Sequence, residues 1–159
     1  YFEFVKDILI KKLSELRLYA YEFKGYWRPL TTIQLYYRAN MELLNPDVRY
    51  ELFVKNGKIF TKVKDEPPAK YNEEAVVKNC VIADGCIIEG HVENSIVFRG
   101  VKIKKGAVVK NSIIMQGSII GENASLDNCI LDKNVIISIG KQLNGDTNWP
   151  LIVGKGVTV

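Results

Sequence analysis

Between residues 79 and 137 the alternation of apolar and polar positions repeats as a ten-residue phrase: NCVIADGCII, NSIVFRGVKI, NSIIMQGSII and NCILDKNVII. The phrases begin at Asn79, Asn94, Asn111 and Asn128, in steps of 15, 17 and 17 residues. Self-similarity at a short fixed period predicts stacked structural repeats. With Asn as position 0, position 1 is Cys80, Ser95, Ser112 and Cys129, and position 3 is Ile82, Val97, Ile114 and Leu131. A small residue and a large aliphatic one, two apart, face the same way in a strand. The pair recurs at positions 7 and 9, as Cys86 with Ile88, Val101 with Ile103, Ser118 with Ile120 and Val135 with Ile137. It recurs again as Ala107 with Val109 and Ala124 with Leu126. Each repeat is therefore read as three short strands about six residues apart.

Turns are expected where residues tolerate positive φ. Position 6 is Gly85, Gly100, Gly117 and Asn134, and position 12 is His91, Gly106, Asn123 and Gly140. A strand with a corner every six residues closes a three-sided coil, and coils stacked at ~4.8 Å form a parallel β-helix filled by the paired inward residues. The pattern breaks at GKQLNGDTNW and resumes in PLIVGKGVTV, with Pro150 in the Asn slot, so a loop of about five residues is expected to bulge there.

Upstream of the repeats the periods change. Val5, Ile8, Leu9, Leu13 and Leu16 recur at spacings of three and four, which predicts an amphipathic helix over residues 2–18. Tyr19, Tyr21 and Phe23 alternate as in a strand. A second helix is expected from about Thr32 to Leu44, with Thr31 and Gln34 as a capping box and Asn45-Pro46 as its stop. YELFVKNGKIFTKV reads as a hairpin about Asn56-Gly57, and Pro67-Pro68 marks the boundary before coils that begin near Val76.

Composition narrows the function classes. The chain has 159 residues, with 22 basic residues interleaved among 18 acidic ones for a net charge of +4 and no long basic tract, which argues against nucleic acid. No apolar run approaches the ~20 residues of a membrane span and no signal peptide opens the chain, so no membrane role is expected and a cytoplasmic location is the default. Cys80, Cys86 and Cys129 fill small inward slots and read as buried hydrophobes; an odd count without a CxxC points away from disulfides and zinc. The start at Tyr1 without Met, and the stop within a repeat, read as a piece of a larger protein.

The phrases resemble the hexapeptide repeats of left-handed β-helices, and the handedness is implied by that resemblance alone. Residues 25–44, GYWRPLTTIQLYYRANMELL, resemble the end of the nucleotidyltransferase domain of bacterial ADP-glucose pyrophosphorylases (glucose-1-phosphate adenylyltransferases). Gly25, Tyr26, Trp27, Arg28, Ala39, Asn40 and Met41 match, as do Pro67, Pro68, Ala69 and Lys70 of the following linker. The resemblance implies a fold that is mainly β: the end of a nucleotidyltransferase-like domain over 1–48, a hairpin and linker over 49–74, and a left-handed β-helix over 75–159. It also implies a family Asp that helps hold Mg²⁺, and here that position is Pro29, which has no side-chain oxygen.

That departure resembles the non-catalytic partner subunit of the pyrophosphorylase, which implies a regulatory and assembly role beside a catalytic subunit that forms ADP-glucose for glycogen, in a homo- or hetero-oligomer. No catalytic residue, cofactor-binding residue or metal ligand is expected within the chain. The alternatives are a hexapeptide-repeat acyltransferase, for which His91 would be the only histidine base, and a purely structural β-helix. As a turn residue His91 would be replaceable by Asn. Independently of the resemblance, the outward position 2 carries Val81, Ile96, Ile113 and Ile130, continued by Ile152. A regular aliphatic ladder outside a solenoid implies a covered face, an interface, whose cover would be the helix of residues 2–18, a missing domain or another subunit.

Overall fold

The computed structural model describes residues 3–159 apart from Asn56, Lys58 and Lys62. Residues in the left-handed backbone region set the corners of a three-sided coil. Asn79, Asn94, Asn111 and Asn128 (φ 45 to 51°) form one corner, Gly85, Gly100, Gly117 and Asn134 the next, and Gly106, Asn123 and Gly140 the third. Positive φ reverses the local twist at little cost only for Gly and, less freely, Asn.

Between corners lie parallel strands of two or three residues, stacked five deep on each of three faces. Face one comprises Lys70–Tyr71, Ile87–Ile88, Lys102–Ile103, Ile119–Ile120 and Ile136–Ile137. Face two comprises Val76–Lys78, His91–Glu93, Val108–Lys110, Ser125–Asp127 and Gln142–Asn144. Face three comprises Val81–Ile82, Ile96–Val97, Ile113–Ile114, Cys129–Leu131 and Leu151–Val153. The register matches each phrase to the next, so Ile96 pairs with Ile113, and Ile113 with Ile130.

The inward pairs read from the sequence form one continuous core from Cys86 and Ile88 to Ile137 and Val153. Its few polar members are satisfied. Ser112 Oγ donates to the Lys110 carbonyl at 2.5 Å and accepts from the Cys129 amide at 3.1 Å, one coil further on. A hydroxyl that replaces a methyl-sized group can thus be buried without the penalty of an unpaired donor.

The solenoid departs from expectation at one place. His91 is not a corner: it opens a face-two strand and pairs with Val76 and Val108. The first step is two residues short, and both are lost at that corner, where Glu89-Gly90 stands for Lys104-Lys105-Gly106-Ala107. A side chain on Gly90 would run into the carbonyls of Ala107 and Lys104, so the shortened corner needs glycine for close approach. The interrupting segment has the size expected of it. Gln142–Asn144 stays in the coil, and the excursion is confined to residues 145–149, closed by reciprocal 3.0 Å bonds between Asp146 and Trp149.

Among the described residues of the expected 2–18 helix only Phe4–Ile10 forms a regular element, a π-helical stretch with no buried residue, and residue 2 lies outside the described residues. Tyr19 and Tyr21 are 88% exposed and belong to no strand. A short amphipathic segment gains little helix in water until its apolar face is covered, and a strand needs an edge to pair with. The second helix, α1 (Ile33–Glu42), is capped by Thr32, whose side chain accepts from the Leu35 amide at 3.2 Å. This is one residue later than read, so Gln34 does not complete a capping box. Asn45 then caps the short helix α2 (Pro46–Tyr50), with Pro46 at its first position, and the chain stays helical through Lys55. The first arm of the expected hairpin is therefore helical, while Asn56, Lys58 and Lys62 lie outside the described residues.

Candidate functional site

The aliphatic ladder on face three is covered, and the cover is α1. Ile96, Ile113 and Ile130 are 5%, 0% and 4% exposed, Val81 is half-buried, and Ile152 at the far end is 50% exposed. Tyr37, only 3% exposed, packs on Ile113 and Ile130, with Tyr36, Met41, Phe98 and Met115 around them. The Tyr37 hydroxyl donates to the Asn111 carbonyl at 2.5 Å and has Asn128 Oδ1 at 3.2 Å. Burial, then the negative charge of Asp127, pushes this phenol up to about 12. The 145–149 excursion grips the same helix, because Arg38 Nη2 donates to Asn148 Oδ1 at 2.7 Å. The sequence had α1 and the ladder in view separately but held no signal joining them.

The Gly25–Arg28 segment is tied to the C-terminal end of α1. Glu42 accepts from the Tyr26 hydroxyl at 2.7 Å and from Arg28 Nε at 2.8 and 3.0 Å, and the Arg28 guanidinium lies 5.1 Å from the Tyr26 ring centre. The Tyr26 amide donates to Glu51 at 2.7 Å. Burial and the adjacent Glu42 carboxylate push the Tyr26 phenol up to about 12. Burial alone would raise the Glu42 carboxyl, but the hydrogen bonds from Tyr26 and Arg28 and the Arg28 charge outweigh it and hold the group below its usual value. Pro29 follows, half-buried. The magnesium ion that the resemblance implies would look for a carboxylate here; residues 25–32 supply none, and Glu42 and Glu51, which reach the segment, are engaged by Arg28 and Tyr26. The residues present do not fit the ion.

His91 and the cysteines stand apart from this cluster and from one another. His91 Nε2 is buried without a hydrogen-bond partner, 3.8 Å from Glu93 Oε2 on the same strand. Cys86 and Cys129 are buried in the solenoid core and Cys80 is half-buried at its first coil. Burial raises all three thiols, Cys129 to about 11, which suppresses the thiolate that redox chemistry needs.

Between α1 and the solenoid runs a groove of about 580 Å³. One wall is the corner made by Asn79, Asn94, Asn111 and Asn128; the other is Tyr37, Arg38, Met41 and Glu42 of α1, and Thr147 of the excursion closes one end. Asn79 Nδ2 donates to Asn94 Oδ1 at 2.8 Å, while Asn111 Nδ2 and Asn128 Nδ2 both donate to Asp127 Oδ1, at 2.9 and 3.2 Å. The sequence reading used these asparagines only to mark where phrases begin. Their enrichment at positive φ was the signal that a third corner lay there.

The GlmU-like, C-terminal hexapeptide family matches residues 67–159. Across nearly its whole length the chain is similar to a glycogen biosynthesis protein and to glucose-1-phosphate adenylyltransferases. It is 40% identical to the glycogen biosynthesis protein GlgD of Bacillus subtilis over 96% of this chain and 45% of that protein. It is 37% identical to a glucose-1-phosphate adenylyltransferase of Acetivibrio thermocellus, over 99% and 38%, and 41% identical to another from Fervidobacterium nodosum, over 87% and 33%. The chain therefore spans less than half the length of these relatives. Corners at glycine and asparagine, inward small and large pairs, a face-three ladder under a helix and the match over residues 67–159 agree: the chain belongs to the GlmU-like C-terminal hexapeptide family, whose repeats it builds into a left-handed parallel β-helix.

Proposed function

We propose that this chain is the regulatory and assembly part of a glucose-1-phosphate adenylyltransferase-like subunit in glycogen biosynthesis, acting in the cytoplasm on a catalytic partner subunit that makes ADP-glucose. The observation that carries the reading is similarity to a glycogen biosynthesis protein over 96% of the chain, together with Pro29 in a segment that has no carboxylate of its own and holds Glu42 and Glu51 in hydrogen bonds. The docked helix suits such a role. It joins the Gly25–Arg28 segment, at its C-terminal end, to the solenoid, so a change at either reaches the other through packed side chains. The ladder of Val81, Ile96, Ile113 and Ile130 then serves as an interface within the chain, and contact with a partner or second copy falls to surfaces left open, such as the exposed apolar residues from Phe4 to Trp27.

The test uses the full-length protein, with and without its catalytic partner. Alone, with ATP, glucose 1-phosphate and Mg²⁺, it is expected to make negligible ADP-glucose; mixed with the partner, it should co-elute and change the partner's activity. Turnover by the isolated protein at ~1 s⁻¹ or faster would defeat the reading. So would failure to associate with, or to affect, the catalytic subunit.

A further inference from the structure

We propose that the groove between α1 and the asparagine corner is a binding site for a neutral polyhydroxylated ligand, a saccharide. The asparagine amides of the corner do not use their full hydrogen-bonding capacity among the described residues. Their hydrogen bonds run from Asn79 to Asn94, and separately from Asn111 and Asn128 to Asp127. The chain of bonds breaks between Asn94 and Asn111. At that break, among the described residues, Asn94 Nδ2 keeps donors and Asn111 Oδ1 an acceptor, on residues of adjacent coils whose strands stack at ~4.8 Å. A donor and an acceptor so placed match neighbouring hydroxyls on a sugar ring, each of which both donates and accepts.

The charges select against an anion. One carboxylate and one guanidinium line the groove, and both are engaged by the protein itself: Glu42 with Arg28 and Tyr26, Arg38 with Asn148. What remains open is uncharged: amides on one wall and the apolar side of Met41 on the other, against which the C–H face of a sugar can lie. The volume of about 580 Å³ falls within the ~300–1,000 Å³ usual for small-molecule sites. Because the site is defined by the solenoid and α1, it does not depend on whether the protein acts with a catalytic partner.

Backbone geometry provides a clean test. The asparagines sit at positive φ, so replacement by glycine removes the amide and keeps the corner. An NMR titration of the 159-residue chain with maltotriose is expected to give saturable shifts at Asn94, Asn111, Met41 and Thr147. The double variant Asn94→Gly/Asn111→Gly should weaken the affinity roughly tenfold or more, since it removes two hydrogen-bonding groups. Asn134→Gly, at another corner, should leave it unchanged. Thr147→Trp, on the exposed excursion, fills the groove mouth without touching the core and should also abolish the shifts. No saturable shift in the unaltered chain overturns the site, as does undiminished binding by either groove variant. Equal displacement of maltotriose by inorganic phosphate would show an anion site and overturn the neutral class.

Discussion

The solenoid and the segment before it are both rich in aliphatic and aromatic residues, yet they treat them in opposite ways. From Cys86 to Ile137 every inward position is buried to within a few per cent, whereas Phe4, Val5, Ile10, Leu13 and Tyr19 are all 57% exposed or more. The difference lies in where each segment's partner sits in the chain. A solenoid strand finds an identical strand 17 residues away, and each coil is both template and lid for the next. The N-terminal segment has an apolar stripe but no repeat, so nothing nearby in sequence completes it. Hydrophobicity alone does not make a core; a partner within reach does.

The sharpest break of this comparison is Ile120→Asp. It places a charge in a fully buried inward slot, and a loss of more than about 4 kcal/mol is expected, read as loss of the cooperative thermal transition. Survival of that transition would mean that the coils are not one core. Next comes Ile96→Lys with Ile113→Lys, which exposes two ladder residues contributing ~1.5 to 3 kcal/mol each. The solenoid's own melt should persist while limited proteolysis opens α1 and the stretch around Pro67; unchanged protease resistance would show that α1 is held by something else. Tyr37→Phe removes only the hydroxyl and should cost ~1 kcal/mol in the same proteolysis assay, calibrated by denaturant.

Acid should separate the regions without mutation. Glu42 is held below its usual carboxyl value in the folded chain, so the stability it contributes is present above the unfolded value and lost as pH falls through the folded one. Tyr26 fluorescence or proton exchange in residues 25–28 should therefore respond as pH falls below the ordinary carboxyl range, before the solenoid does. Glu42→Gln should remove that early response. The smallest effect is expected from Leu13→Ser: at 66% exposure the side chain contributes little, and the change should stay within about 0.5 kcal/mol. A larger loss would show that the segment is not open in the chain as it stands.

The solenoid was legible because its information is local and repeated. Small and large inward pairs, three strands per step and the glycine corners could all be counted. His91 was misplaced by the same counting, since a two-residue deletion shifts register without leaving a mark in a single phrase. The N-terminal elements were over-read because periodicity reports a preference for an amphipathic helix or strand, and forming either depends on a partner that periodicity does not contain. The ladder announced that it was covered, but the identity of its cover rests on contacts such as Tyr37 with Asn111, 74 residues apart, which no local pattern encodes. The groove was invisible for the same reason, as each of its walls belongs to a different period.

The short offset between coils, 15 or 17 residues with five more at the excursion, also implies an order of assembly. Each new coil closes a loop of similar length however many coils already exist, so the entropy lost per coil does not grow and zippering can start anywhere along the stack. Docking of α1 must close a loop of 74 residues, which costs about 1.3 kcal/mol more than a 17-residue closure, and its seat does not exist until consecutive coils have stacked Ile113 on Ile130. The helix is thus a late event that reports on a formed stack: a nascent chain that lacks the coil of Ile130 presents only part of its seat.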